Sequence, residues 1–91
     1  MVNPDGVVLG NSRTSASGKD LNREYLNVRR DLYPEVYSVK MLIARLQKKH
    51  GVLLFLDFHG HSRKKNTFFY GPNYPISHRE YYKCRVLPKI I

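Results

Sequence analysis

The sequence predicts an α/β fold, in which helices cover a sheet that has a buried central strand. One observation is the unbroken apolar run at residues 52–56, which is typical of a strand buried on both faces. The other is a helical pattern that ends directly before this run, as in the αβ half of a parallel unit. We therefore expect residues 52–58 to form an interior strand, with the preceding helix packed across one face of the sheet.

The helix before this run is predicted over Pro34–Lys49. Pro34 suits the first turn of a helix, and Gly51 suits the position just past its end. The apolar residues recur at i, i+3, i+7 and i+10, so they share one face: Val36, Val39, Ile43 and Leu46. This face is the surface that we expect to pack on the sheet.

Three weaker elements complete the predicted fold. Short β-type runs at residues 7–9 and 67–70 predict two further strands. A second helix is predicted to begin at His78, because residues 77–80 have the Ser-x-x-Glu form of a capping box, and to end or kink at Pro88.

Composition limits the class of protein. Ninety-one residues, 42% of them hydrophobic, allow one small globular domain. No apolar stretch approaches the length of a membrane span, and the first residues lack a signal-peptide pattern. The single cysteine, Cys84, excludes an internal disulfide framework.

The net charge of +9, from 16 Lys and Arg against 7 Asp and Glu, favours an acidic partner. Nucleic acid, a membrane surface and a polyanionic peptide all fit this charge. The basic residues are scattered along the chain, which is also typical of an ordinary solvated surface.

Asp57, His59 and His61 alternate at the end of the predicted central strand, so they would share one face. Ligands bind in open α/β sheets beyond the carboxyl ends of the strands. Imidazole is a common metal ligand, and a nearby carboxylate can fix its tautomer. The alternative is a histidine that only makes a hydrogen bond at a strand end.

Several polar motifs follow one another along nearly the whole chain. They include Asn-Pro-Asp-Gly, Asp-Leu-Asn-Arg and Asp-Phe-His-Gly-His-Ser, and they lie within residues 3–6, 10–13, 18–23, 57–66 and 69–71. Together these motifs resemble those of the zinc metallocarboxypeptidases. They resemble most closely the cytosolic carboxypeptidase branch, whose best-known members remove glutamate from tubulin tails.

This resemblance implies roles for individual residues and a Zn²⁺ cofactor. His59 corresponds to the last of three zinc ligands. Arg13 corresponds to the basic residue that polarises the scissile carbonyl, stabilises the oxyanion and contacts the substrate. Asn22 and Arg23 correspond to the clamp on the terminal carboxylate of the substrate, for which the planar guanidinium fork is well suited. The resemblance also implies a partial metallocarboxypeptidase-like mixed sheet with flanking helices.

The chain also departs from the family pattern. The family's other two zinc ligands, a His and a Glu three residues apart, and its general-base Glu have no counterparts here. We therefore expect residues 1–91 to be the central part of a catalytic domain, incomplete at both ends and inactive alone. His61 is a candidate second ligand, although the family pattern places it in the pocket lining.

Two functions remain open at this point. The first is a part of a cytoplasmic zinc carboxypeptidase that acts on acidic, tubulin-like C-terminal tails. The second is a basic binding module for nucleic acid or acidic protein surfaces, built on Arg63, Lys64, Lys65 and the tyrosines. The resemblance favours the peptidase, for which we expect the four implied site residues to converge on one concavity: Arg13, Asn22, Arg23 and His59.

Overall fold

Three α-helices and one 3₁₀ turn make up the regular structure of the protein in a computed structural model that describes residues Met1–Ile91. In chain order they are α1 (Pro4–Leu9), the 3₁₀ turn (Leu21–Arg23), α2 (Pro34–Lys49) and α3 (Glu80–Ile90). The chain divides into two units, Met1–Leu56 and Asp57–Ile91. None of the helices has both the length and the hydropathy that crossing a membrane requires.

The α/β prediction is wrong, because the structure contains no strand and therefore no mixed sheet. Residues 52–58, the expected interior strand, have no regular secondary structure. Leu53 is fully exposed, and Phe58 is 90% exposed. An extended segment becomes a strand only when a neighbour takes up its backbone N–H and C=O groups. No such neighbour forms here, so apolar composition alone does not produce a sheet.

The two shorter predicted strands are absent as well. Residues 7–9 belong to α1, whose start is fixed by Pro4 and by the side chain of Asn3, which accepts a hydrogen bond of 3.0 Å from Gly6 N–H. These helix-start signals outweigh the β-branched side chains that favoured a strand. Residues 67–70 form neither a helix nor a strand.

Helix α2 confirms the predicted bounds, Pro34–Lys49. Glu35 lies in its first turn and Lys48 and Lys49 in its last, where their charges complement the helix dipole. Gly51 follows with φ 77°, the left-handed conformation that glycine adopts easily after a helix end. With no sheet to cover, α2 keeps Met41 about half exposed.

The core of the unit Met1–Leu56 lies where the 3₁₀ turn meets the start of α2. Its buried apolar residues are Leu21, Tyr33 and Val36, of which Val36 is completely inaccessible to solvent. Tyr25 and Val28 pack against them from the intervening loop. This small core fixes the turn that carries two of the implied site residues.

The unit Asp57–Ile91 contains α3 and no buried side chain. The helix begins at Glu80 rather than at the predicted His78, because the Nδ1 atom of His78 accepts a hydrogen bond of 3.2 Å from Glu80 N–H. Pro88 does not end the helix, since α3 continues through Pro88 to Ile90, and a kink at Pro88 stays a prediction.

Candidate functional site

Arg13 and Arg23 meet at one carboxylate, that of Asp20. Arg13 donates a hydrogen bond from Nε to Asp20 Oδ2 at 2.8 Å, and its Nη2 atom forms an ion pair with the same oxygen at 2.8 Å. The Nε atom of Arg23 lies 3.7 Å from the same oxygen. Both arginine side chains are 68% exposed, whereas Asp20 is 22% exposed. Two guanidinium groups are therefore held at one point of the surface, with most of each group in water.

Asp20 is itself held by the backbone. Its Oδ1 atom accepts a hydrogen bond of 3.0 Å from Asn22 N–H, and this bond caps the 3₁₀ turn. The turn is anchored by Leu21, which is buried in the core. The loop before it is closed by a bond of 2.9 Å from Ser15 N–H to the carbonyl of Lys19. The carboxylate that gathers the arginines thus stands on a fixed piece of backbone.

The structure brings together three of the residues that the sequence implied for the site: Arg13, Asn22 and Arg23. Asn22 and Arg23 lie in the 3₁₀ turn, and Arg13 reaches the turn through Asp20. Sequence reasoning missed Asp20. Its signal was present, because an Asp two residues before a turn residue commonly accepts that residue's N–H.

His59 lies in the other unit, Asp57–Ile91, so its predicted convergence with the arginines stays a prediction. Its Nε2 atom lies 2.7 Å from Asp57 Oδ2. An ionised carboxylate only accepts hydrogen bonds, so Nε2–H of His59 donates to it and the neutral ring keeps its lone pair on Nδ1. Nδ1 is thus the atom of His59 that could bind a metal, with Asp57 orienting the ring.

A catalytic zinc ion requires three protein ligands, and these residues alone do not supply them. The structure holds no group of three or more His, Cys, Asp or Glu side chains that could bind a metal. Asp57 and His59 could therefore supply one ligand of a zinc site, the His59 ring oriented by Asp57, but not a complete set of ligands.

Proteins similar in sequence identify the lineage. The chain is 54% identical to mouse cytosolic carboxypeptidase 2 over 71 residues, which are 78% of the chain and 8% of that protein. It is 51% identical to cytosolic carboxypeptidase 2 of Macaca fascicularis over 73 residues, 80% of the chain and 9% of that protein. It is 53% identical to cytosolic carboxypeptidase 1 of Xenopus laevis over 72 residues, 78% of the chain and 6% of that protein. The chain belongs to the cytosolic carboxypeptidases.

The chain spans less than a tenth of the length of these three relatives. No protein-family model matches it, and no solved structure does. The match to the cytosolic carboxypeptidases nevertheless covers about four fifths of the chain at about half identity, so the resemblance read from the motifs is confirmed.

His61, the other histidine of this cytosolic carboxypeptidase segment, is engaged differently from His59. Its Nδ1 atom accepts hydrogen bonds from the backbone N–H groups of Arg63, at 3.2 Å, and Lys64, at 2.9 Å. The neutral ring therefore carries its proton on Nε2, and neither nitrogen offers a free lone pair. The observed contacts give His61 a role in closing a turn.

An aromatic cluster follows His61. The rings of His61 and Phe68 meet edge to face at 5.2 Å between centroids, and those of Phe68 and Tyr70 at 5.5 Å. The ammonium group of Lys64 lies 5.0 Å and 5.1 Å from the centroids of Phe68 and Tyr70. Base stacking needs an open ring face. Lys64 lies over one face of each ring, and Tyr70 is still 74% exposed, so these contacts leave ring surface open.

Proposed function

We propose that this chain is part of a zinc-dependent carboxypeptidase that removes C-terminal residues, glutamate above all, from acidic protein tails such as those of tubulin. The observation that carries the proposal is the meeting of Arg13 and Arg23 at Asp20, on the turn that also holds Asn22. The names of the related proteins support the class of reaction and a cytosolic location.

Recognition of a free C-terminus is the first step that these residues can perform. A guanidinium presents parallel N–H donors that match the two oxygens of a carboxylate, and it stays charged at any working pH. We assign this role to Arg23, with Asn22 as a neutral donor that fixes the orientation. Selectivity follows because a C-terminal amide would leave a charge-assisted bond unmade.

Arg13 acts on the adjacent peptide bond in this proposal. Its guanidinium polarises the scissile carbonyl and stabilises the negative charge that develops on the oxygen. A donor that is already in place when this charge develops contributes more than one that must reorganise. The hydrogen bond and the ion pair between Arg13 and Asp20 provide such placement.

His59 is assigned as the single zinc ligand of this chain, through Nδ1. Bound zinc supplies Lewis-acid polarisation and a water molecule of lowered pKa. The remaining ligands and the general base lie outside the residues present here. We therefore expect the 91-residue chain alone to bind zinc weakly and to release no glutamate. Chelator-sensitive release by the purified chain would contradict this expectation.

An acidic substrate is favoured by the net charge of +9. Charge of one sign raises the local concentration of an oppositely charged peptide and its rate of association. This attraction weakens as salt rises, because exposed charges are screened within about 10 Å at 0.1 M ionic strength.

The decisive experiment exchanges the matching segment of mouse cytosolic carboxypeptidase 2 for residues of this chain. We expect the exchanged protein to release C-terminal glutamate from an acidic peptide in a chelator-sensitive manner. Within it, Arg23→Ala should mainly raise KM, because recognition of the carboxylate is lost. His59→Ala should abolish metal-dependent turnover and lower the bound zinc.

The matched control is Arg45→Ala, which removes an exposed arginine of α2 for which the structure shows no ion pair. It lowers the net charge by the same amount as Arg23→Ala. Similar, mild effects of Arg23→Ala, His59→Ala and Arg45→Ala would refute the assigned roles. A folded exchange protein without activity would refute the proposed reaction for this segment.

A further inference from the structure

Asp20 uses both of its carboxylate oxygens, and it uses them for different purposes. Oδ1 accepts from Asn22 N–H at 3.0 Å and caps the 3₁₀ turn. Oδ2 accepts a hydrogen bond of 2.8 Å from Nε of Arg13, lies 2.8 Å from Nη2 of Arg13, and lies 3.7 Å from Nε of Arg23. One oxygen therefore fixes the carboxylate to the backbone, and the other holds two side chains.

The N–H groups of the two arginines that contact Asp20 determine which of their N–H donors remain free for a ligand. Arg13 is held by Nε and Nη2, and Arg23 is approached at Nε. A guanidinium carries five N–H donors, and its terminal Nη1–Nη2 edge can bind a second carboxylate in a bidentate manner. Both side chains are 68% exposed, so most of the surface of each is accessible to a ligand.

The charge of this cluster also fits a single acid. Two guanidinium groups and one carboxylate leave a net charge of +1, which one α-carboxylate neutralises. Holding the long arginine side chains before the ligand arrives also moves part of their entropy loss from binding to folding.

From these contacts we propose that Asp20 is a positioning residue for substrate recognition. It holds the Nε sides of Arg13 and Arg23, so that the terminal edge of Arg23 is presented to the free α-carboxylate of the substrate and that of Arg13 to the adjacent scissile carbonyl. The inference rests on the proposed function, because it assumes that Arg23 recognises that carboxylate and that Arg13 acts on the adjacent carbonyl. Asp20 acts through the arginines and does not itself touch the substrate.

The test compares the affinities of the 91-residue chain for N-acetyl-Gly-Glu with a free C-terminus and for its C-terminal amide, measured by NMR titration. Both probes keep the glutamate side-chain charge, so only the α-carboxylate differs. We expect the unaltered chain to prefer the free acid by about fivefold, the upper range for an exposed ion pair. Asp20→Asn should reduce this preference to about one, although it makes the chain more positive.

Asp20→Asn separates positioning from folding, because Asn caps a helical turn about as well as Asp does. The amide signal of Asn22 reports whether the cap persists. The matched control is Asp31→Asn, which removes another exposed carboxylate paired with an arginine, Arg29, and changes the net charge equally. It should leave the preference for the free acid unchanged, while both probes bind slightly better.

The outcomes separate the inference from the function on which it rests. No preference for the free acid in the unaltered chain would overturn both. A preference that survives Asp20→Asn with an intact cap would overturn the positioning role alone. If Asp20→Asn unfolds the turn, the positioning role is tested instead in the unaltered chain, by the rate at which the arginine Nε–H protons exchange with solvent. Slower exchange for Arg13 and Arg23 than for Arg45 supports the inference, and equal exchange overturns it.

Discussion

The two units of the chain are ordered by different interactions. Met1–Leu56 has a buried core of Leu21, Tyr33 and Val36, and its turns are closed by capping side chains. Asp57–Ile91 has no buried side chain and depends on ring contacts and one helix. Correspondingly, the implied arginine site is gathered in the first unit, whereas His59 has only its neighbour Asp57. A site is assembled where the backbone beneath it is held by a core.

The contrast between a unit with a buried core and a unit without one is tested most directly at Val36. Val36→Ala removes two methyl groups from a fully buried position and leaves a cavity, which should cost about 2 to 3 kcal/mol of unfolding free energy. Urea unfolding followed by circular dichroism measures this loss. Val8→Ala is the control, since Val8 is a helical valine that is 86% exposed, and it should be nearly neutral. Equal losses would show that no core exists at Val36.

Gly6 gives the next largest expected effect. A Cβ atom at this position would lie 2.1 Å from Asn3 Nδ2 and 2.7 Å from the carbonyl oxygen of Thr14. The Asn3 side chain that would be displaced caps α1 and donates to that same carbonyl. Gly6→Ala should therefore cost about 2 kcal/mol, because this clash exceeds the helix propensity that Ala gains.

The control for Gly6→Ala lies in the other unit. A Cβ atom at Gly60 would meet nothing within 4 Å, so Gly60→Ala should change the unfolding free energy by less than about 0.5 kcal/mol. The same urea titration measures both variants. A loss at Gly60 as large as that at Gly6 would mean that the second unit is packed more tightly than its exposure indicates.

A smaller effect is expected in the aromatic cluster of the second unit. Phe68→Ala removes edge-to-face contacts with His61 and Tyr70 and the ring that Lys64 covers. Such contacts contribute about 1 kcal/mol. The measurement is the loss of ring-current shifts at His61 and Tyr70 by NMR. Phe58→Ala is the control, because Phe58 is 90% exposed, and it should leave those shifts unchanged.

The signals at the two ends of α2 predicted structure correctly, whereas the capping-box signal before α3 and the apolar run at residues 52–56 did not. Pro34 and Gly51 located both ends of α2, because helix starts and stops depend on the few residues around them. The run at residues 52–56 was assigned to a strand, but a strand depends on partners that the run itself does not specify. At residues 7–9 the helix-start signals of Asn3 and Pro4 outweighed the β-type side chains.

The candidate site shows the same division. The motifs implied Arg13, Asn22 and Arg23 as site residues, and the structure brings them together because Asp20 is both a cap and an ion-pair partner. The cap is a local property that residues 20–22 could have revealed. The contact between Asp20 and Arg13 depends on the closed loop between these two residues. The spacing of the residues in the sequence does not specify this loop. His59 and its convergence with the arginines stay predictions.

The smallest expected effect concerns the first turn of α3 and its dependence on pH. A hydrogen bond from Lys83 Nζ to Glu80 Oε1, at 3.0 Å, lowers the pKa of the Glu80 carboxyl below its ordinary value of 4.5, and the nearby charges of Lys83, Arg79 and His78 lower it further. A folded-state pKa below the unfolded value means that the ionised carboxylate stabilises the fold. This contribution is complete above about pH 4.5 and is lost as the pH falls through the lowered folded value.

Amide hydrogen exchange in α3 should therefore be constant at mildly acidic pH, after correction for the intrinsic rate, and should become faster below about pH 4.5. Glu80→Gln should remove this acceleration, because the amide does not titrate. In the first unit, Asp31 also has a lowered pKa through its bond with Arg29, so Asp31→Asn is the matched control and should leave α3 unchanged. Acid-induced acceleration in α3 that persists in Glu80→Gln would show that another group controls the helix start. Both ion-pair partners of Glu80, Arg79 and Lys83, are exposed, so the effect on stability is small beside that of Val36→Ala. This is expected for a unit without a buried core.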